Sequence, residues 1–346
     1  MCHIIIHDLY MQSRDSQDRK PLVTVAMAVY NAAEFLEAAI NSILVQTFRN
    51  FELLLIDDGS TDRSKDICSR LASSDNRIRC IFKSSNDGLS VVRNLSVAEA
   101  FGKYLLMADA DDLMDEHTLE KAVKKAEDEA ADVVIWDYET FSGIVPQLKE
   151  GVSRLFKIDP TDRMKLLTLP AFMPVRLIRT DYIRNRGWRF PKGLTKQDIP
   201  IHWAMVTDSN CRISLLPERM FYYRQQPNAT SCRKGRSLFS LVNVMDIVET
   251  NLRETGVYET YKIIFWKKRL ELLHGMYDFI KPELKGEAMQ MILDRIDGDG
   301  GLFLKESSNL LSSRTRTFYR MIRGSISARI RYNMFMGLRT IYRKLK

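Results

Sequence analysis

Residues 103–115 have the sequence KYLLMADADDLMD, in which a short apolar run ends in a cluster of carboxylates. The run at 104–107 has the length and composition of a buried β-strand. It is followed by three aspartates within four positions, Asp109, Asp111 and Asp112. Because unpaired carboxylates are costly to bury, we expect them where the strand leaves its sheet. There they can converge on one divalent cation, Mg²⁺ or Mn²⁺, since both prefer oxygen ligands. The alternative is a solvated acidic turn in which Asp112 or Asp115 caps the next helix.

The neighbouring segments repeat the order of strand, polar turn and helix. Strands are predicted at 22–29, 51–56, 78–82, 104–107 and 132–136, and helices at 34–45, 61–73, 89–100 and 116–129. Strands that alternate with helices at this spacing predict an α/β fold with a doubly wound, mostly parallel sheet. Ligands bind such sheets at the carboxyl ends of the strands. The sequence places polar side chains at three of these ends: Tyr30, Asp57 with Asp58, and the Asp109 cluster.

The second half of the chain is less regular and then becomes helical. Short helices are predicted at 181–188 and 199–207, and strands at 212–216 and 220–224. From Ser237 onward the pattern is helical, with breaks near Gly256, Pro282 and 297–301. We therefore predict a loosely structured leader at 1–20, an α/β domain at 21–232 and a helical, basic extension at 233–346.

The composition is that of an ordinary globular protein. Of 346 residues, 45% are hydrophobic and 28% are charged, which excludes a disordered chain. No apolar run approaches the ~20 residues of a membrane span, and the opening apolar run is too short for a signal peptide. We therefore expect a cytoplasmic protein. The five cysteines lack the spacing of zinc or redox motifs, which predicts free thiols.

The excess of positive charge is concentrated at the end of the chain. The net charge is +8, and 307–346 contain no Asp or Glu. Within 314–346, apolar residues recur every four positions from Ile322 to Met334, interleaved with Arg and Lys. A cationic amphipathic helix of this kind can lie on an anionic membrane surface. The alternative is an apolar stripe that packs onto the domain and leaves a solvated basic face. Nucleic-acid binding is disfavoured, because no motif of that class accompanies the charge.

Taken together, these motifs resemble glycosyltransferase family 2, the inverting nucleotide-sugar enzymes with a GT-A fold. The matching segments are 25–31, 42–47, 51–52, 56–62, 86–94, 102–104 and 109–112, followed by 187–191, 197–198 and 222–226. The resemblance covers 21–232. It implies a nucleotide-sugar half at 21–138 and an acceptor half at 139–232, as in bacterial enzymes of polysaccharide biosynthesis.

The resemblance implies roles on the nucleotide side of the site. Tyr30 stacks on or flanks the nucleobase, Asp58 accepts a hydrogen bond from the base imide, and Asp57 orients the turn. Arg93 contacts the diphosphate or pins the acidic site. The alternatives are an aromatic side chain that only packs, simple turn chemistry, and a salt bridge on a helix surface.

The resemblance also implies a metal-dependent reaction with a carboxylate base. Asp111 is the principal ligand of Mn²⁺ or Mg²⁺, and Asp109 is the second, with Asp112 holding the loop. Asp198 matches the aspartate that deprotonates the acceptor hydroxyl. The residue before it is Gln197, where the family usually has glutamate, so one charge is missing. The alternative is that Asp198 only caps the following helix.

We therefore expect an enzyme that transfers one sugar from a nucleoside diphosphate sugar, uridine-linked in our interpretation, to a glycan or lipid-linked acceptor. The expected location is the cytoplasm, peripheral on the inner face of the cell membrane. The main alternative is a non-catalytic GT-A-fold binding protein, which the neutral Gln197 would suit. A Rossmann-type oxidoreductase is disfavoured, because no Gly-x-Gly-x-x-Gly follows the first strand.

Overall fold

A computed structural model gives the structure of residues 20–143, 153–226, 234–296 and 298–324. The chain divides into two compact units. The sheet unit consists of Met1–Lys157, Phe172–Trp188 and Arg212–Arg224. The helical unit consists of Ile158–Ala171, Arg189–Cys211 and Gln225–Lys346.

The described part of the sheet unit contains one mixed sheet of eight strands. The strands are β1 (Val23–Val29), β2 (Phe51–Asp57), β3 (Ile78–Phe82), β4 (Tyr104–Asp109), β5 (Leu113–Met114), β6 (Val133–Phe141), β7 (Arg176–Arg179) and β8 (Ile213–Arg224). Their order is β3-β2-β1-β4-β7-β6-β8-β5. The half formed by β3, β2, β1 and β4 is parallel throughout. In the other half β7 is antiparallel to β4 and β6, and β5 is antiparallel to β8.

The helices follow the strands as the alternating pattern predicts. They are α1 (Leu36–Leu44), α2 (Ser64–Ser74), α3 (Leu89–Glu99), α4 (Thr118–Asp128), α5 (Arg163–Leu166), α6 (Thr180–Asn185), α7 (Asp198–Thr207), α8 (Ser240–Glu254), α9 (Tyr258–Phe279), α10 (Lys285–Leu293), α11 (Asp299–Glu306) and α12 (Ser313–Ile322). The first four and α6 belong to the sheet unit, and the others belong to the helical unit. Every residue of β2 is buried, as expected for a parallel strand covered on both faces.

The strand register brings the polar strand ends together. Val29 of β1 is paired with Asp57 of β2, and Ala28 of β1 is paired with Asp109 of β4. The carboxyl ends of three adjacent parallel strands therefore meet at one edge of the sheet. This edge is the place where a doubly wound sheet binds ligands.

Two motif residues without an obvious chemical role, Gln46 and Glu52, are buried and hydrogen-bonded. The side chain of Gln46 accepts a hydrogen bond from the Leu119 amide at 3.0 Å and donates to the Asp115 carbonyl at 2.6 Å, which fixes the start of α4. Glu52 accepts from the Thr24 hydroxyl at 2.6 Å and the Phe101 amide at 2.9 Å. Buried polar groups need hydrogen-bond partners, so these contacts explain why a polar side chain stands at each of the two positions.

Gly102 marks a close approach between two chain segments. A Cβ atom at this position would lie 2.4 Å from the Thr24 backbone nitrogen, closer than any side chain can come. The Gly102 amide donates to the Thr24 hydroxyl at 2.8 Å. The glycine therefore lets the chain enter β4 tightly against β1, with which β4 pairs from Tyr104 onward.

The helical unit is built on α8 and α9. Phe265, Trp266 and Leu270 of α9 are almost fully buried. The last described helix, α12, packs against α9: Phe318 stacks on the His274 ring at 4.7 Å, and the Tyr319 hydroxyl donates to the Leu270 carbonyl at 2.9 Å. The apolar residues that precede the predicted stripe therefore pack onto the protein, and Ile322, its first residue, is half-buried. The rest of the predicted stripe, from 325 on, lies outside the described residues, as does the leader apart from Lys20.

The predicted strands of the first half are confirmed within one or two residues at their starts, and β6 extends five residues further than predicted. The prediction of two separate strands at 212–216 and 220–224 was wrong, because both segments belong to one strand, β8. Pro217 and its neighbours form a bulge between the pairs Ile135–Leu215 and Asp137–Arg219, so the chain bends without ending the strand. The short strands β5 and β7 were not predicted, because two and four residues give no usable periodicity.

No helix in the described ranges is long and apolar enough to cross a membrane.

Candidate active site

The loop after β1 presents a tyrosine at the edge of the sheet. Tyr30 is 48% exposed. The next residue, Asn31, has a positive φ of 47°. Its side-chain oxygen accepts from the Thr61 amide at 2.8 Å, and its own amide donates to the Ser60 hydroxyl at 3.0 Å. These bonds connect the loop after β1 to the loop after β2 and leave the Tyr30 ring facing solvent.

Asp57 and Asp58 differ sharply in their surroundings although both are buried. Asp57 accepts from the Ser60 amide through Oδ2 at 3.1 Å, which is the turn-orienting contact expected of it. Its Oδ1 is buried and has no hydrogen-bond partner among the described residues. Asp58 is engaged through both oxygens, by the Lys83 ammonium and the amides of Asp87 and Gly88. Asp58 therefore closes the loop between β3 and α3.

Lys83 is held in this loop as a cation. It contacts the carboxylates of both Asp58 and Asp87. Burial acts to lower the pKa of Lys83, but its hydrogen bonds to the two carboxylates outweigh burial and raise the pKa above its ordinary value. The Asp58 carboxylate is thus partly neutralised on the side that faces the loop.

Gly59 permits the sharp turn after the two aspartates. Its φ is +72°, and a Cβ atom there would lie 2.7 Å from the Ser85 backbone carbon. A side chain at this position would therefore push the β3–α3 loop away from Asp58.

At the end of β4, Arg93 lies beneath the acidic turn. Arg93 of α3 is 3% exposed, and its Nη2 donates to Asp109 Oδ1 at 3.3 Å. Burial lowers the pKa of Arg93, and the Asp109 carboxylate opposes this shift. Of the alternatives that the sequence left open, the structure places Arg93 against the acidic site and not in a salt bridge on the helix surface.

Arg176 of β7 is a second buried arginine, which the sequence analysis missed. It is 1% exposed and donates through Nη1 to the Phe172 carbonyl. Burial, and then the positive charge of Arg93, lower its pKa to about 9. No sequence signal marks it, because β7 lies in an irregular segment without periodicity. A second buried guanidinium therefore lies close enough to Arg93 for the two positive charges to repel each other.

Asp112 is buried within the acidic turn, next to two other carboxylates. It is 3% exposed and accepts from the Arg224 amide through Oδ1 at 2.7 Å, consistent with the predicted role of holding the loop. Its Oδ2 is buried without a hydrogen-bond partner in the described chain. Burial, followed by the charges of Asp109 and Asp111, raises the pKa of Asp112 to about 9. A positive charge placed among these three carboxylates would relieve that repulsion.

Arg224, the last residue of β8, contacts the turn a second time. Its Nε donates to the Asp111 carbonyl at 2.8 Å. Its guanidinium lies between the rings of Phe35, at 4.6 Å, and Phe141, at 4.5 Å. Arg224 lies in the motif at 222–226, which by itself indicates no role for this residue.

The donor set fits a cation that is completed by substrate. In the described ranges no three His, Cys, Asp or Glu side chains are gathered closely enough to hold a metal by themselves. Magnesium is commonly held by one or two carboxylates together with phosphate oxygens. Asp109 and Asp111 are both partly exposed at the sheet edge, and the next residue, Asp112, has a buried Oδ2 without a hydrogen-bond partner in the described chain. The residues present are therefore of the right kind for Mn²⁺ or Mg²⁺ with a diphosphate.

The structure places six of the seven predicted site residues in the sheet unit. They are Tyr30, Asp57, Asp58, Arg93, Asp109 and Asp111. The seventh, Asp198, is the first residue of α7 in the helical unit and is 9% exposed. Gln197 before it is 5% exposed. The preceding loop is fixed by Thr195, which bonds the Ser240 hydroxyl at 3.1 Å.

The fold and the acidic sheet edge define a GT-A type of protein, and comparison with known proteins agrees. The model of glycosyl transferase family 2 matches residues 24–186. EpsH of Bacillus subtilis strain 168, a glycosyltransferase by its name, is 36% identical over 252 residues, which is 70% of this chain and 72% of that protein. TuaG of the same organism, named for teichuronic acid biosynthesis, is 35% identical over 105 residues, 30% of this chain and 42% of that protein. In three further relatives the matched region spans 40%, 62% and 17% of the protein.

Solved structures share the fold. S. aureus TarS 1–349 in complex with UDP-GlcNAc aligns with a TM-score of 0.65 at 19% identity, covering 94% of this chain and 92% of that one. A mannosyltransferase from Pyrobaculum calidifontis in complex with GDP-Man and Mn²⁺ aligns with a TM-score of 0.52 at 15% identity, covering 95% and 94%.

The chain belongs to glycosyl transferase family 2. The predictions of this family and of the GT-A fold are confirmed.

Proposed function

We propose that this protein is an inverting glycosyltransferase that moves a sugar from a UDP-linked donor to a glycan or lipid-linked acceptor in surface polysaccharide biosynthesis. The observation that carries the proposal is the register that puts Asp57 and Asp109 at the ends of strands flanking β1. It is supported by the nucleotide sugar in the TarS complex and by the name of TuaG.

The donor nucleotide is recognised at the loops after β1 and β2. The exposed Tyr30 ring offers a face on which a uracil can stack. Asp58 accepts a hydrogen bond from the base imide through one of its two oxygens, of which Oδ1 also accepts from the Asp87 amide and Oδ2 from the Gly88 amide. Asp57 keeps the turn in place through the Ser60 amide.

The diphosphate lies at the acidic turn. Asp111, with Asp109, would hold Mn²⁺ or Mg²⁺, and the bound cation would supply Lewis-acid stabilisation of charge on the leaving diphosphate. Arg93 holds Asp109 in place through its hydrogen bond. The Arg93 side chain is buried, so it acts through the carboxylate and not by direct contact with substrate.

The acceptor is activated by Asp198. Its carboxylate takes the proton of the acceptor hydroxyl while the oxygen attacks C1 of the sugar on the face opposite the diphosphate. The new C1–O bond forms, the C1–phosphate bond breaks, and its electron pair leaves with the nucleoside diphosphate. The configuration at C1 is therefore inverted. Gln197 contributes no charge beside Asp198, so one carboxylate does the work of the base.

We further propose that the enzyme is peripheral on an anionic membrane surface through 314–346. Within the described part of this segment, Arg320 and Arg323 of the α12 region are exposed while Phe318 is buried against α9. Basic side chains next to a membrane each contribute about 1 kcal/mol of attraction. Flotation with anionic liposomes, compared between the full chain and a chain truncated after Ser313, tests this. Equal flotation of both chains would contradict it.

The donor site is tested by isothermal titration with UDP-sugars in the presence of Mn²⁺, together with a UDP-release assay. We expect UDP-GlcNAc or another UDP-sugar to bind and to be turned over by the wild type. Asp111→Asn should abolish metal-dependent turnover while the protein stays folded. Asp115→Asn is the matched control, because the Asp115 carboxylate accepts from the His117 amide at 3.0 Å, just before α4.

Two outcomes would contradict the proposal. Retained turnover in Asp111→Asn would remove its role as ligand. Binding of nucleotide sugar without any turnover, across a panel of acceptors, would favour the non-catalytic binding protein.

A further inference from the structure

Arg224 connects three parts of the sheet unit at one point. Its backbone amide donates to Asp112 Oδ1 at 2.7 Å, and its Nε donates to the Asp111 carbonyl at 2.8 Å. Its guanidinium is stacked between Phe35, which precedes α1, and Phe141, which ends β6. One residue therefore holds the acidic turn by both its backbone and its side chain.

The position of Arg224 is itself fixed by the sheet. Phe141 and Arg224 are register partners in the pairing of β6 with β8. On its other side β8 pairs with β5, where Leu113 is opposite Tyr222. The residue that follows Asp112 is therefore already paired with the strand that carries Arg224.

The side chain of Arg224 controls the peptide group between Asp111 and Asp112. The Nε bond fixes the direction of the Asp111 carbonyl, and the direction of the Asp111 carboxylate depends on the orientation of the same backbone. A metal ligand has to be held within about 0.5 Å of its productive position by the residues around it. Without the Nε bond, the backbone amide of residue 224 still holds Asp112, but residue 224 no longer bonds the Asp111 carbonyl.

An arginine suits this position better than a lysine. A planar guanidinium can stack on aromatic faces and donate in its own plane at the same time. A lysine ammonium keeps the charge but has no plane to place between Phe35 and Phe141. Charge alone therefore does not reproduce the arrangement.

We propose that Arg224 is a positioning residue that presents the Asp111 carboxylate to the divalent cation of the donor complex. This inference rests on the proposed function, because it takes Asp111 to be a metal ligand. Arg224 acts through Asp111 and is not itself required to touch the reacting atoms.

The test measures metal binding directly, in addition to activity. Free Mn²⁺ is followed by its electron paramagnetic resonance signal as protein is titrated in the presence of UDP. Substituting a residue that orients a metal ligand typically weakens metal affinity about 10- to 100-fold, and we expect a loss in this range for Arg224→Met. Arg224→Lys should show a loss of similar size, because it cannot stack. UDP binding in EDTA should change less than about twofold, since Tyr30 and Asp58 are untouched.

Arg219→Met is the matched control. Arg219 lies on the same strand and pairs with Glu139 at 2.9 Å, away from the acidic turn. Its metal affinity should equal that of the wild type. If Arg224→Met unfolds, Arg224→Lys keeps the length and charge of the side chain and carries the test.

The outcomes separate the two proposals. If the wild type binds no Mn²⁺ with UDP, the proposed donor site fails and the inference falls with it. If the wild type binds Mn²⁺ and both folded Arg224 variants bind it equally well, only the positioning role is overturned.

Discussion

Arg93 and Asp109 form a hydrogen-bonded ion pair in which the partners are unequally exposed. The arginine side chain is 4% exposed and the aspartate 25%, with 3.3 Å between Nη2 and Oδ1. The pair lies where β4 ends, so it connects α3 to the first carboxylate of the acidic turn. It explains why a helix that packs on the sheet carries a buried charge at this position.

The unequal exposure of the two side chains predicts which substitution lowers the free energy of unfolding more. Asp109→Asn takes the counter-charge from a buried guanidinium, and breaking a buried pair in this way costs about 3 to 5 kcal/mol. Arg93→Met leaves a carboxylate that water can reach, so it should cost less, about 1 to 3 kcal/mol. Urea unfolding of the two variants measures this. The reverse order would mean that the pair is not what stabilises Arg93.

The roles of Asp198 and Gln197 can be distinguished by two variants at the start of α7. Asp198→Asn should leave donor affinity near the wild-type value and lower turnover by at least about 10²-fold, since general-base catalysis contributes 10²- to 10⁴-fold. Gln197→Glu should raise or preserve turnover if a second carboxylate is useful there. Asp208→Asn, at the other end of the same helix, is the control. Unchanged turnover in Asp198→Asn would place the base elsewhere.

The buried thiol of Cys68 should make stability depend on pH in the alkaline range. Cys68 is fully buried, and burial, then the charges of Cys80 and Asp57, raise its pKa from 9.0 to about 12. Between these values the folded protein keeps a proton that the unfolded chain loses, so raising the pH favours unfolding. From about pH 8 to about pH 10 the loss attributable to this group is about 1 kcal/mol.

The measurement is urea unfolding of the wild type and of Cys68→Ala at both pH values. Other groups titrate in the same range, and the comparison removes their contribution. The variant should be less stable at neutral pH because of the cavity, but its stability should fall less on going to alkaline pH. An identical fall in both proteins would contradict the shift.

Arg269 should be central to the stability of the helical unit. It is 2% exposed and pairs with Glu249 at 2.5 Å and with Asp246. Arg269→Met removes the buried cation from these partly exposed carboxylates, which keep Arg253 and Arg295 as partners, and we expect a loss of about 1 to 3 kcal/mol. Arg236→Met removes an exposed pair with Glu287 and should cost less than about 1 kcal/mol. Equal losses, measured by thermal and urea unfolding, would show that burial of Arg269 does not matter.

Much of the sheet unit could be predicted because its signals are local. Apolar runs of strand length and the aspartates that follow them occur within a few residues of each other, as in β2 with Asp57 and β4 with Asp109. The contacts of Arg176 and Arg224 could not be predicted. Arg176 lies on a four-residue strand without periodicity, and Arg224 reaches Asp112 across 112 positions of sequence.

The bulge in β8 also could not be predicted from local sequence signals. Pro217 and the charged residues after it have the composition of a turn, and a local interpretation ends the strand there. The chain continues as a strand because β6 pairs with it on both sides of the irregularity. Pairing energy from a distant segment overrides the local preference of a proline.

The sequence by itself determined the alternation of strands and helices, the family, and the identity of the acidic residues at the strand ends. Each of these follows from residue types within a short window, where hydrophobic periodicity and turn chemistry act directly. Only the tertiary structure decided which cations accompany the acidic turn: Arg93 from α3 and Arg224 from β8. The reason is that ion pairs and stacking depend on distance in space, and the register of a mixed sheet sets that distance between residues far apart in the chain.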